Sequence, residues 1–210
     1  MALKVDAVSS GTQSGGTLQF AHTCSGRNRI LIVAGATPNA GSDRWTGVTY
    51  NGVAMTRIAT VTNVNNDIRG YAYYLVNPTL GTHNIVVSTS GDIDYASAIS
   101  YKGAKQTSQP NGHHEAEANN GTELTTTITT TVDNCWNISF IAGGTGSFVA
   151  STGVNSVRVG AMGDSNGPKS PAGAYAMRWT CPAQKLVALQ VAIAPGGPSD
   201  DNGGFLFGIM

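Results

Sequence analysis

Arg29-Ile30-Leu31-Ile32-Val33-Ala34-Gly35 and, a short way on, Val48-Thr49-Tyr50-Asn51-Gly52-Val53-Ala54-Met55 are the stretches that decide the fold. The first is apolar without alternation, the pattern of a strand buried on both faces. In the second, Asn-Gly separates two short strand-like runs. A two-residue type I′ hairpin turn needs positive φ at both central positions, and Asn-Gly supplies it with little strain. The same grammar extends outward. Leu3 to Val8 alternates apolar and polar residues, and Thr17 to Thr23 follows the turn Ser14-Gly15-Gly16. Ile68 to Val76 and Thr82 to Thr89 are joined through Asn77-Pro78-Thr79-Leu80-Gly81, and Tyr95 to Tyr101 is again apolar. Residues 103–121 are polar and read as a loop. Leu124 to Val132, Trp136 to Ala142, Asn155 to Val159, Ala174 to Thr180 and Leu186 to Ala194 complete the strands. Gly143-Gly144-Thr145-Gly146 reads as a turn and Asp164 to Pro171 as irregular.

No window carries sustained helical spacing of apolar residues, and 27 Gly and 8 Pro break the chain at short intervals. The pattern predicts an all-β fold, an antiparallel two-sheet β-sandwich of jelly-roll type with a core ~10 Å thick. Residues 1–194 form this domain, and residues 195–210 form an extended C-terminal tail. One internal echo stands out. Tyr71-Ala72 and Tyr175-Ala176 are each followed by a proline, Pro78 and Pro182, at the same spacing and then by an apolar run. Both read as a strand, a proline-marked corner and a returning strand.

Pro195-Gly196-Gly197-Pro198-Ser199-Asp200-Asp201-Asn202-Gly203-Gly204 is a breaker-rich linker, and Phe205-Leu206-Phe207-Gly208-Ile209-Met210 is almost wholly apolar. Each large side chain there gains roughly 1.5–3 kcal/mol from burial. Phe205, Leu206, Phe207, Ile209 and Met210 are therefore expected to bind a partner surface. A neighbouring subunit is favoured over the parent domain because the linker gives reach.

Charged residues make up 11% of the chain, with 12 basic against 12 acidic. That balance gives no electrostatic footprint for nucleic acid or an anionic membrane, and little charge repulsion to oppose self-association. No apolar run approaches the ~20 residues of a membrane-spanning helix. The start, Met1-Ala2-Leu3-Lys4-Val5-Asp6, lacks an apolar signal core and predicts synthesis in a cytoplasm without a cleaved signal. The 3 cysteines, Cys24, Cys135 and Cys181, are too sparse for a disulfide framework or a zinc motif, and Cys135 and Cys181, each in a strand-like run, read as buried thiols.

Few residues point to chemistry. Gly163-Asp164-Ser165-Asn166-Gly167 matches the G-x-S-x-G nucleophile pattern, which requires a sharp strand-to-helix turn. The prolines of Pro168-Lys169-Ser170-Pro171 oppose a helix there. His113-His114-Glu115-Ala116-Glu117 gathers imidazoles and carboxylates of the kind that bind transition metals, but no second cluster completes a ligand shell. Asp92-Ile93-Asp94 and Asp200-Asp201-Asn202-Gly203 lack the terminal Glu of a calcium loop. No cofactor is expected. Among the aromatic residues, Tyr71 and Tyr73 share one strand face and Tyr74 the other, which places at least one of them near the surface. Trp45, in the loop-like Ser42-Asp43-Arg44-Trp45-Thr46-Gly47, is the candidate for an exposed contact with a glycan or partner. Asn120-Gly121-Thr122 and Asn137-Ile138-Ser139 fit the N-glycosylation pattern, without a secretory route to use it.

The order of features carries a resemblance. Asn28 to Gly35 leads to Val48-Thr49-Tyr50-Asn51-Gly52-Val53-Ala54-Met55-Thr56. Tyr73-Tyr74-Leu75-Val76-Asn77-Pro78, Gly81-Thr82-His83-Asn84-Ile85-Val86-Val87 and Ala98-Ile99-Ser100-Tyr101-Lys102-Gly103-Ala104 follow. Together with Gly173 to Ala194, this resembles a β-sandwich domain of bacteriophage structural proteins that also occurs in large bacterial surface proteins. The resemblance implies a fold and no catalytic residues. It sets the expectation of a non-enzymatic virion protein, a capsid decoration or tail accessory. Such a protein would form homo-oligomers and contact other virion proteins. A glycan-binding module of a tail fibre or cell surface is the alternative, and a hydrolase using Ser165, His113 or His114 is the third reading.

Overall fold

Fifteen strands run through the described residues of the computed structural model, which are 2–13, 16–38, 41–65, 67–91, 93–144 and 147–197. In chain order they begin β1 (Lys4–Gln13), β2 (Leu18–Cys24), β3 (Ile30–Pro38), β4 (Trp45–Tyr50), β5 (Val53–Ala54), β6 (Thr56–Thr62), β7 (Ile68–Val76) and β8 (Gly81–Thr89). They continue with β9 (Ile93–Lys102), β10 (Gly112–Thr129), β11 (Trp136–Gly143), β12 (Val149–Ala150), β13 (Ser156–Val159), β14 (Met162–Asp164) and β15 (Ala174–Ile193). No helix occurs among these residues. The all-β, antiparallel expectation holds.

The number of sheets differs from the expected two. β1-β9-β3-β7-β6 form a central sheet, β2-β8-β4-β5 a second, and β10-β15-β11-β14-β13 a third, with β12 on the side of β15. β3 explains the third layer. Ile30, Ile32, Ala34 and Ala36 point into one core with Ile138, Phe140, Leu189 and Val191 of the third sheet. Leu31 and Val33 point the other way, into a core with Phe20, Val48, Tyr50, Ile85 and Val87 of the second sheet. A strand apolar on both faces needs a layer on each side.

The Asn51-Gly52 hairpin between β4 and β5 forms as predicted, with φ of 50° and 75°. Asn77-Pro78 is a corner of a different kind. β7 lies in the central sheet and β8 in the second, so the chain changes layers there. Arg29, itself buried, clamps the crossing. Its guanidinium donates to Pro78 O at 2.9 Å, to Asn77 Oδ1 at 2.7 Å and to Gly26 O at 2.5 Å.

Residues 112–121, read as loop, belong to β10, which runs antiparallel to β15 across most of its length. Fully extended, 18 residues would span about 60 Å. Yet Asn111 Nδ2 donates to Thr131 Oγ1 at 2.7 Å, and Thr131 N–H returns a bond to Asn111 Oδ1 at 2.9 Å. The β10–β15 ribbon is therefore bent double. Residues 112–118 and 186–193 form an inner leaf against the central sheet. Residues 123–129 and 174–180 fold back over it as an outer leaf. Trp179 Nε1 reaches Ser139 Oγ at 3.0 Å, and Gln190 Nε2 reaches Tyr175 O at 3.0 Å. Leu124, Met177, Trp179, Ile141, Leu186 and Ala188 fill the space between leaves.

The bend is local. Three residues of β15, Cys181, Pro182 and Ala183, oppose the single Thr122 of β10 between the pairs Gly121↔Gln184 and Glu123↔Thr180, and Pro182 sits exposed in that bulge. Pro78 and Pro182 thus mark two different corners, a layer change and a hairpin fold, not a repeated unit.

Candidate functional site

The segment expected to bind a partner, Phe205, Leu206, Phe207, Ile209 and Met210, lies outside the described residues, as do all positions from 198 onward. Its root is well defined. Lys105 N–H donates to Ala194 O at 3.0 Å, and the Gln109 side chain brackets Ala194, accepting from its N–H at 3.2 Å and donating to its O at 2.9 Å. Ala104 and Pro195 form a β-bridge, and Gly196 N–H donates to Gly103 O at 2.8 Å. The fold therefore holds the chain through Gly196, two residues beyond the predicted end of the domain.

Two clefts flank this root. Leu3, Asn134, Trp136, Pro168, Pro195 and Gly196 line one of about 270 Å³. Leu3 and Trp136 expose only an edge there, at 5% and 8%, because their bodies belong to the core between the central and third sheets. The other cleft, about 390 Å³, is bounded by Lys105, Ser108, Pro110, Thr131 and Val132 and is more polar.

The expected exposed contact at Trp45 is overturned. Trp45 is 0% exposed. It opens β4, and its ring lies flat on Tyr71, with centroids 4.8 Å apart and planes 4° apart, and beside Tyr73 at 6.0 Å. Gly35 makes this possible, since a Cβ there would lie 2.7 Å from Trp45 Cη2. The Arg57 guanidinium caps Tyr73 and Tyr71 at 5.4 and 5.7 Å and is itself paired with Asp43. No face of Trp45 is left for a sugar. Of the strand tyrosines, Tyr71 and Tyr73 are buried and Tyr74 is half-buried.

Ser165 is not on a nucleophile elbow. It follows β14 in a turn without a helix and is 2% exposed, and its Oγ donates to Gly167 O at 2.7 Å while accepting from Asn137 N–H at 3.2 Å. Its neighbour Asp164 is a structural anion. The Asp164 carboxylate accepts from Arg158 Nε and Nη2 at 2.9 Å and from Tyr101 Oη at 2.8 Å, which ties the central sheet to the third. Burial, then the adjacent carboxylate, pushes the Tyr101 phenol well above its ordinary range.

His113 and Glu115 share one face of β10, with Nδ1 2.7 Å from Oε1, and His114 is on the opposite face. No group of three or more His, Cys, Asp or Glu able to hold a metal occurs among the described residues. The Asp94 side chain, Asp92 and Asp200-Asp201-Asn202-Gly203 are outside what the structure describes. Cys24 and Cys135 are buried and Cys181 half-buried. Burial raises the Cys24 thiol and pushes Cys135 up to about 11, so both remain protonated at neutral pH.

One constellation carried no sequence signal because its members are far apart or individually ordinary. His22 is buried between the central and second sheets, with Ser9 Oγ 2.7 Å from Nδ1. Burial depresses its pKa to about 4, against an opposing pull from Asp6. Asp6 accepts from Ser100 Oγ, Ser25 N–H and Ser25 Oγ. The imidazole has no carboxylate partner within hydrogen-bond reach, and Nε2 is buried away from any acceptor. This arrangement packs a neutral imidazole and does not assemble a nucleophile and base.

Compared with known proteins, the chain matches no protein-family description and no curated protein.

Proposed function

We propose that the chain is a non-enzymatic structural protein of a bacteriophage virion, a capsid decoration or other accessory surface protein that assembles through the segment Phe205–Met210. The observation that carries the reading is a fixed root followed in sequence by an apolar segment. Ala194, Pro195 and Gly196 are fastened to the fold. The sequence continues through a breaker-rich stretch to the nearly continuous apolar residues 205–210. A fixed root with an apolar segment after it fits an assembly arm. The layered all-β fold, the balanced charge and the resemblance described above support the same reading. The glycan-binding alternative loses its candidate in the buried Trp45. Ser165, held by backbone partners, offers a hydrolase no nucleophile.

Two measurements test this. Purified phage particles from a host lysate should contain the chain in stoichiometric amounts by mass spectrometry. In solution, the wild-type chain should sediment as an oligomer of its 21.6 kDa mass, and changing Phe205 and Phe207 to Ser should leave it monomeric with unchanged circular dichroism. Particles lacking the chain would overturn the virion assignment. A double variant that assembles like the wild type would overturn the arm.

A further inference from the structure

We infer that the cleft lined by Leu3, Asn134, Trp136, Pro168, Pro195 and Gly196 receives residues 205–210 of a second copy, so that two copies exchange these segments about a two-fold axis. The inference rests on the assembly reading above and names its acceptor.

Size and chemistry fit the occupant. At about 270 Å³ the cleft falls below the ~300–1,000 Å³ of sites that enclose a small-molecule ligand. Its walls are the edges of Leu3 and Trp136 and the rings of Pro168 and Pro195, with Asn134 as a polar contribution. Such a site takes one or two side chains of an apolar peptide. The neighbouring cleft around Lys105, Ser108 and Val132 is larger but more polar, and serves as the internal control.

Position decides the partner. Pro195 and Gly196 are at once the root of the arm and a wall of the cleft. To fill its own cleft, the segment would have to return onto the wall from which it departs, whereas a mate's cleft asks for no such return. From Gly197 to Phe205 the chain reaches about 26–29 Å when extended, enough to cross an axis beside the cleft. Because donor root and acceptor coincide, any two-fold placement that satisfies one arm satisfies the other. The contact is self-complementary and closes at two copies, whereas a donor and acceptor on opposite sides of the molecule would propagate into a filament.

Complementation in the full-length chain tests each part. Phe205→Ser with Phe207→Ser removes the donor. Ala2→Glu with Pro168→Glu, both at exposed positions, places charge at the cleft mouth. By sedimentation equilibrium the wild type should be a dimer. Each double variant alone should dissociate at least ~100-fold more readily, as the loss of two buried aromatic anchors implies. An equimolar mixture of the two should recover dimers, since one partner keeps its arm and the other its cleft. Recovery also shows that both variants are folded. Val132→Glu in the neighbouring cleft should dimerise normally. A wild-type monomer would sink the assembly reading itself. An acceptor variant that dimerises like wild type, or a mixture that stays monomeric, would sink the cleft assignment while the arm stands. Open-ended polymers would refute the two-fold exchange.

Discussion

His22 shows how much a single buried group can impose on stability. Its pKa falls from 6.5 to about 4 because burial penalises the imidazolium more than the nearby Asp6 carboxylate favours it. Ser9 at Nδ1 and the Tyr50 ring at 6.3 Å are neutral, and His83 is the cross-strand partner of His22. The unfolded chain therefore binds a proton between pH 6.5 and 4 that the folded chain refuses. Stability from this group is complete above pH 6.5 and is lost as pH falls to about 4, by at most about 3 kcal/mol. Urea titrations at pH 7.5 and 4.5 should show a smaller pH-dependent loss in His22→Gln than in the wild type. Equal losses would assign the acid sensitivity elsewhere. Nothing in the sequence around His22 announces this, because its environment is made by Asp6 and Ser9 of β1 and Tyr50 of β4. Trp45 failed for a related reason. Its sequence neighbours are polar, but its packing is set by Gly35, Tyr71 and Tyr73. The Asn51-Gly52 turn was legible because its geometry is decided by the two residues themselves.

At the scale of elements, strands with local signals were read correctly and the doubled ribbon was not. β10 begins with Gly112-His113-His114-Glu115-Ala116-Glu117, whose polar composition matches a loop. It is a strand because β15 supplies its hydrogen-bond partners from far along the chain, Ala192 opposite Gly112 and Val187 opposite Glu117, a pairing that composition cannot encode. β15, in contrast, has the sequence pattern of two runs, 174–180 and 186–194. Its two halves occupy different leaves, although the backbone between them continues through the Pro182 bulge. Gly121 faces that bulge. A Cβ there would sit 3.0 Å from Leu186 Cδ1, 3.1 Å from Ala118 Cβ and 3.2 Å from Glu123 O. Gly121→Val should therefore destabilise the protein by about 1–3 kcal/mol through overpacking. Gly144→Val, where nothing lies within 4 Å, should change stability by less than about 0.5 kcal/mol. Chemical denaturation of both variants measures the difference. Equal stability would mean that the bend has room to give.

At the scale of the whole molecule, the layers predict an order of opening. The central sheet is enclosed on both faces. Leu31, Val33, Ala96 and Ala98 pack towards the second sheet, and Ile30, Ile32, Ile99 and Tyr101 towards the third, all at 1% exposure or less. The second sheet is covered on one face only, and β2 reads buried-exposed along its entire length. The outer leaf is held differently again. The layer beneath it contains Asn137, Ser139 and Gln190, fully buried polar residues, and both amide atoms of Asn137 lack a hydrogen-bond partner. An interface that buries unpaired polar atoms is weaker than one of the same area closed by aliphatic side chains. Local opening should follow these differences, since exchange reports the free energy of each cooperative unit. Native-state hydrogen exchange should find the slowest amides in β3, β7 and β9, with protection approaching global stability. Amides of the outer leaf, residues 123–129 and 174–180, should open at lower free energy, before the inner leaf at 186–193. The comparison is sharp because β15 contributes to both leaves, so one strand carries the fast and the slow population. Uniform protection along β15 would show that the doubled ribbon opens as a unit with the core, and that the polar layer beneath its outer leaf exacts no penalty.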